Sequence, residues 1–175
     1  GDVQAVEGCR VWLLKQKQAG KCRFVGLSGH NLPGRFIPFL ESGDVDVILV
    51  AVNFVDRHTY GFEEKVLPVA SRHNAGIVAM KVFGGPNPKS GSWGTRHAKP
   101  LVGEGNVELA IRYALSVPGV ATANLGVHTA EQLRQNVQLV KRYRELSAGE
   151  KEMAANLGQE LAAQWGPHFG PVAES

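Results

Sequence analysis

DVILVAVN, residues 46–53, decides the fold. Its middle is aliphatic without a break from Val47 to Val52. A strand with one wet face would alternate, and a helix would need more length. The run therefore reads as a strand buried on both faces, as in a parallel sheet covered by helices. Three more short runs rich in Val, Ile and Leu share its character: 22–27, 77–82 and 120–125 beside 45–52. Each ends in turn-forming residues.

Helical patterns fill the intervals. Val6, Val11, Leu13 and Leu14 mark one helix, stopped by Gly20. Phe36, Ile37, Phe39 and Leu40 mark a second, with its start at Asn31 to Pro33 and its stop at Gly43. Phe62, Val66, Leu67, Val69 and Ala70 mark a third, in which Pro68 predicts a bend or a late start. Val107, Leu109 to Ile111, Ala114 and Leu115 mark a fourth, ended before Pro118. Thr129 to Gln132 read as a capping box for a fifth, with Leu133, Val137 and Val140 on its apolar side. Ser147 to Glu150 form a second box, opening a terminal helix to about Gln164. The order is α-β-α-β-α-β-α-β-α-α, which argues for parallel strands with right-handed crossovers. The expected fold is α/β, a single domain over residues 1–175: half of a (β/α)8 TIM barrel, four parallel β/α units, plus a C-terminal helix.

The composition suits one globular domain: 20% charged residues, 43% hydrophobic and a net charge of +3 leave no basis for disorder. The charge admits an anionic ligand but does not point to nucleic acid. The densest basic run, Lys141, Arg142 and Arg144 beside Glu145, reads as a solvated helix face. No apolar run approaches the ~20 residues that span a bilayer. The N-terminus has no signal-peptide layout. Cys9 and Cys22 read as free thiols in a reducing, cytoplasmic setting. The six histidines lack zinc-ligand spacing, so no metal site is expected.

In parallel α/β folds, ligands gather at the C-terminal ends of the strands. Here those ends carry Ser28 to Asn31, then Asn53, then Lys81, Phe83, Gly84 and Gly85, then Asn124, Gly126 and His128. Glycine there lets a ligand approach the backbone. The loop 86–104 is long and rich in Gly, Pro, Ser and Lys. Trp93 within it reads either as a cover for a ligand or as the anchor of an exposed hairpin tip.

Four motifs in order resemble the second half of the aldo-keto reductase barrel. WLLKQKQAGK and KCRFVGLSGHN (12–31) resemble the helix and strand five of that family. VDVILVAVNF (45–54) resembles strand six. EEKVLPVASRHNAGIVAMKVFGG (63–85) resembles the next helix and strand seven, and NLGVHTAEQLRQN (124–136) resembles strand eight and its helix. The matches cover roughly residues 6–140.

The resemblance implies roles. Ser28 and Asn53 hold the nicotinamide carboxamide, although the asparagine that usually follows the serine is Gly29 here. The aromatic that stacks on the nicotinamide falls at Met80. Phe83, Gly84 and Gly85 wrap the pyrophosphate, Lys81 belongs to the same cofactor surface, and Gly126, Thr129 and Gln132 hold the adenosine phosphate at a helix N-terminus. Asn136 meets the adenine. The cofactor is NADP or NAD, since the family's basic residues for the ribose phosphate are replaced by Gly126 and Gln132. Each residue alone also has a structural reading: Ser28 and Asn53 as strand-end satisfiers, the glycine pair as a turn, Gln132 and Asn136 as helix surface. Together and in register they read as a cofactor surface.

The family's catalytic tyrosine, lysine, aspartate and histidine lie on its first four strands. None of Tyr60, Tyr113 or Tyr143 matches that tyrosine, so no catalytic residue is assigned, and a substitute site from Asp56, His58 and Tyr60 is disfavoured. The implied activity is NAD(P)H-dependent reduction of a small-molecule carbonyl in the full barrel, with only the cofactor half here. The alternative is a non-catalytic half-barrel binding or assembly module. A phosphate-binding half-barrel rests on fold analogy alone. Four parallel strands cannot close a barrel. Their edges call for self-association, for a missing N-terminal half, or for rearrangement into an open sheet, and a fragmentary member that self-associates is the favoured expectation.

Overall fold

The computed structural model describes residues 3–91, 95 and 97–173, with side chains from Val6 on. Helix α1 (Val3–Gln18) leads into β1 (Gly26–Gly29). A 3-10 turn, Pro33–Phe36, runs into α2 (Ile37–Glu41), followed by β2 (Val47–Ala51). Then come α3 (Phe62–Lys65), α4 (Leu67–Arg72), β3 (Gly76–Met80), α5 (Val107–Ser116), β4 (Val120–Ala123), α6 (Ala130–Lys141) and α7 (Ala148–Trp165). The strands form one parallel sheet in the order β1-β2-β3-β4. The α/β half-barrel expected from the sequence is therefore what the chain adopts, and the sheet is open at both ends.

Alternation along the strands separates two faces. Ile48, Val50, Ile77 and Ala79 are essentially fully buried in the helix-covered core. The opposite face carries Ser28, Leu49, Val78 and Thr122 in register. Leu49 and Val78 there are only half-buried, and Ser28 and Thr122 are exposed. In a closed barrel that face is the packed interior. Among the described residues no helix is long and apolar enough to cross a membrane.

Several boundaries differ from the sequence reading. The first strand starts at Gly26, not at 22, because 22–24 lie beyond the sheet edge: Phe24 is 63% exposed. Only Val25 reaches a partner, donating to the Asp46 side chain and accepting from the Asp46 N–H. Asn31 does not cap the second helix. Leu32, in the left-handed region at φ 50°, precedes Pro33 with no side-chain cap. The third helix breaks at Val66, with Pro68 in the first turn of the new segment, as that proline requires. On α6 the apolar side faces outward: Leu133, Val137 and Val140 are 52%, 43% and 43% exposed. No element covers them because the sheet ends at β4.

Helix α7 opens with the complete Ser147/Glu150 capping box. Arg112 on α5 grips the same carboxylate through both terminal nitrogens, at 2.7 and 2.9 Å. Of the basic run, Arg144 also pairs with Glu150, at 3.0 Å. Gly158 lets α7 lie on the loop past β2: a Cβ there would sit 1.9 Å from the Phe54 carbonyl oxygen.

Glu63, its side chain 10% exposed, lies against Tyr113 and Arg57. The Tyr113 hydroxyl donates to Glu63 at 2.8 Å and accepts from Arg57 at 2.9 Å. Burial pushes the Glu63 carboxyl up to about 7, with Tyr113 and Arg57 opposing the rise. Its folded value lies above its unfolded one, so its contribution is full below about pH 4.3 and is lost as pH rises through about 7. Thermal denaturation should show this part of the stability, about 2–3 kcal/mol, disappearing between pH 5 and 8. Glu63→Gln should flatten that slope while keeping the acceptor for Tyr113. A Glu63→Gln variant with the wild-type slope would contradict this origin.

Candidate functional site

The strand ends carry two different surfaces. At β1 to β3 they are closed by the chain itself. Asn53 is fully buried, and its amide is spent. Its Nδ2 donates to Asp56 Oδ2 at 2.7 Å and to the Lys81 carbonyl at 3.0 Å. Its Oδ1 accepts from the N–H groups of Val55 and Asp56. Such an amide has used both donors and both acceptor positions. Asp56, 2% exposed, uses its other oxygen for His168 Nε2 at 2.9 Å.

Ser28 is exposed on β1 and borders an apolar groove between α1 and the sheet, walled by Leu13, Leu14, Leu27, Phe36 and Phe39. At Gly29 a Cβ would stand 3.0 Å from the Phe36 ring, so Phe36 takes the space beside an added side chain. Asn31 donates instead to the Pro171 carbonyl at 3.3 Å. Met80 is buried at the end of β3.

Lys81 follows β3 in the left-handed region, φ 56°, which is uncommon for a residue with a side chain. Burial pushes its ammonium below the ordinary lysine value. Its carbonyl accepts from Asn53 and from the Gly84 N–H at 2.7 Å. Gly84 has φ 71°, and a Cβ there would meet the Trp165 ring at 2.4 Å, so this glycine serves packing against α7. Gly85 and Phe83 accept from Leu101 and Val102, tying the loop into an antiparallel stem with a Pro86–Pro100 bridge. Trp93 lies outside the described residues.

At β3 to β4 the ends are open. A groove of about 550 Å³ runs along the start of α6, lined by Phe83, Gly126, His128, Gln132 and Asn136. A smaller extension of about 180 Å³ shares Phe83, Gly126 and His128 and continues past Gly85 to Lys81. Thr129 caps α6 by accepting from the Gln132 N–H at 3.1 Å. Gln132 returns its side chain to the His128 N–H at 2.8 Å, one residue before the position a capping box uses. The helix therefore starts rigidly, with its first N–H groups outside its own ladder. Asn136 is 7% exposed, and among the described contacts its side chain has no partner. Among the described residues no fully buried side-chain polar atom lacks a partner, so the unbonded Asn136 amide is open to the groove.

Of the ten residues the sequence points to, Lys81, Phe83, Gly85, Gly126, Gln132 and Asn136 line this groove, and Thr129 fixes its helix. Ser28, Asn53 and Gly84 lie elsewhere. Asn124, which opens the strand-eight motif, and Lys99, which lies outside the motifs, also line it. The closing role of His168 and its neighbours is invisible in a lone GPHFGP string. Among the described residues no cluster of His, Cys, Asp and Glu is placed to hold a metal.

Solved structures share this fold. The aldo-keto reductase AKR11C1 from Bacillus halodurans, in its holo form, superposes over 89% of this chain with a TM-score of 0.61 and 22% identity. Over this span the fold is that of an aldo-keto reductase. The apo form of the same reductase gives the same score and identity. The thermostable aldo-keto reductase Tm1743, in complex with the inhibitor epalrestat, matches over 83% of this chain with a TM-score of 0.56 and 19% identity. The chain spans only 52–57% of the length of these barrels. No protein-family model matches the sequence, and no curated protein does.

Asn53 should behave as a structural residue. Asn53→Ala leaves Asp56 Oδ2 and the N–H groups of Val55 and Asp56 without their partner and should cost about 2–4 kcal/mol in chemical denaturation. An unchanged midpoint would show that its amide is not what holds the loops.

Proposed function

We propose that this chain is the cofactor-holding half of an aldo-keto reductase-type oxidoreductase, one that reduces small carbonyl compounds with NADPH or NADH when its barrel is complete. The observation that carries this reading is Asn136, a residue only 7% exposed whose amide makes no described hydrogen bond and opens onto the groove at the start of α6. An amide offers both a donor and an acceptor, which suits an adenine edge. The adjoining helix start, with Thr129 and Gln132, supplies N–H groups and a dipole that favour a phosphate. Lys81 and Lys99 line the extension where a pyrophosphate would lie, Lys99 with its ammonium 3.0 Å from Glu104. The fit holds for the adenosine end; at the nicotinamide end Asn53 is already spent. The bound dinucleotide would supply a hydride. This chain's residues bind and orient it, and the proton donor for a carbonyl comes from the other four strands of the barrel.

Helix counting supports an unlike partner. Each gap beside a barrel strand holds one helix. At its open edges this chain already brings α1 before β1 and α6 after β4. The missing unit must then begin and end on a strand. A second copy would place an α6 and an α1 in the same gap. A cytoplasmic setting agrees with two free thiols, Cys9 and Cys22.

The second reading, a non-catalytic module that self-associates, is favoured by the outward stripe of Leu133, Val137 and Val140. Light scattering on a sizing column separates the two. The first reading expects a monomer at low micromolar concentration that forms a one-to-one complex with the first four β/α units of such a barrel. A dimer broken by Val137→Lys would favour the second.

Calorimetric titration with ADP tests the groove. Binding should be weak, and Asn136→Ala should weaken it by about tenfold, the loss of one to two hydrogen bonds. Absence of ADP binding, or an Asn136→Ala variant that binds equally well, would contradict the proposal.

A further inference from the structure

The groove stops at Lys81, and the reason is the C-terminal segment of the chain itself. After Trp165 the backbone turns over the strand ends. Phe169 donates its N–H to the Tyr60 hydroxyl at 2.8 Å, and that hydroxyl donates to the Gly170 carbonyl at 3.2 Å. His168 is bound to Asp56, which is itself held by Asn53. The Phe169 ring lies 5.1 Å from His30, just past β1, and 5.7 Å from the Lys81 ammonium, just past β3. Pro171 takes the Asn31 amide. The segment thus bridges the ends of the first three strands. The loop 81–85 is a shared wall: Phe83 and Gly85 face the groove, and Gly84 lies against Trp165.

We infer that the C-terminal segment, residues 166–172, competes with the nicotinamide end of a dinucleotide for the strand ends, so that with the segment seated the groove takes an adenosine phosphate alone. The inference rests on the cofactor reading above. Two independent features support it. Asn53 has no hydrogen-bonding capacity left for a carboxamide, because it braces the aspartate that anchors His168. The position between the ends of β1 and β3 is filled by an aromatic ring that belongs to the chain. Lifting the segment frees that position without touching Phe83, Gln132 or Asn136, which lie on the groove side.

The test is binding of ADP and of NADH, each measured by calorimetry on the full chain and on two variants. One variant ends at Trp165. The other, Tyr60→Phe, keeps the ring but removes the hydroxyl that holds Phe169 and Gly170, and so covers the case in which the shortened chain fails to fold. For the full chain, NADH should bind no more tightly than ADP. For both variants NADH affinity should rise by about tenfold, with ADP unchanged. NADH that already binds the full chain about tenfold more tightly than ADP would overturn the inference. So would variants that move both ligands alike, or neither. Failure of ADP to bind any form would remove the cofactor reading itself, which separates the two failures.

Discussion

Ile48, Val50, Ile77 and Ala79 lose nearly all contact with water beneath the helices, while Leu49 and Val78 on the reverse of the same strands do not. Everything else in the molecule follows from that one-sided burial. A parallel sheet is stable when both faces are covered, and here only one is. The uncovered face, the free edges of β1 and β4, and the outward residues Phe24, Trp12, Leu133, Val137 and Val140 are parts of one deficit. Exposed apolar surface of this kind marks a place for a partner.

The strand-end chemistry is organised by a second, smaller constraint. Asn53 and Asp56 are buried polar groups and must be satisfied. They meet that need by tying the β2 loop to the β3 loop and to His168. This closes the half of the strand ends next to β1 and leaves open the half next to β4. The open half keeps the Asn136 amide without a described partner, a capped helix start and two lysines, one of them paired with Glu104.

The four strands and the helices between them were legible because their signals are local. Aliphatic runs such as 47–52, the proline at 68 and the Ser147/Glu150 box each act over a few residues. What could not be read depended on distant parts of the chain. The apolar side of α6 gives the same pattern whether its partner is present or absent. Gly84 reads as ligand-friendly in sequence, yet its neighbour is Trp165, far along the chain. Asn53 sits where the family resemblance places it, but its amide is claimed by residues three and twenty-eight positions away. Asn31 looks like a helix cap and instead holds Pro171.

Hydrogen exchange of the backbone with and without saturating ADP tests the central claim most directly, because it reports where a ligand lands as well as whether it binds. The account predicts added protection at residues 81–85 and 126–136, with no change at 26–31. Protection confined to 26–31, or no change anywhere at a concentration that saturates the chain, would contradict it.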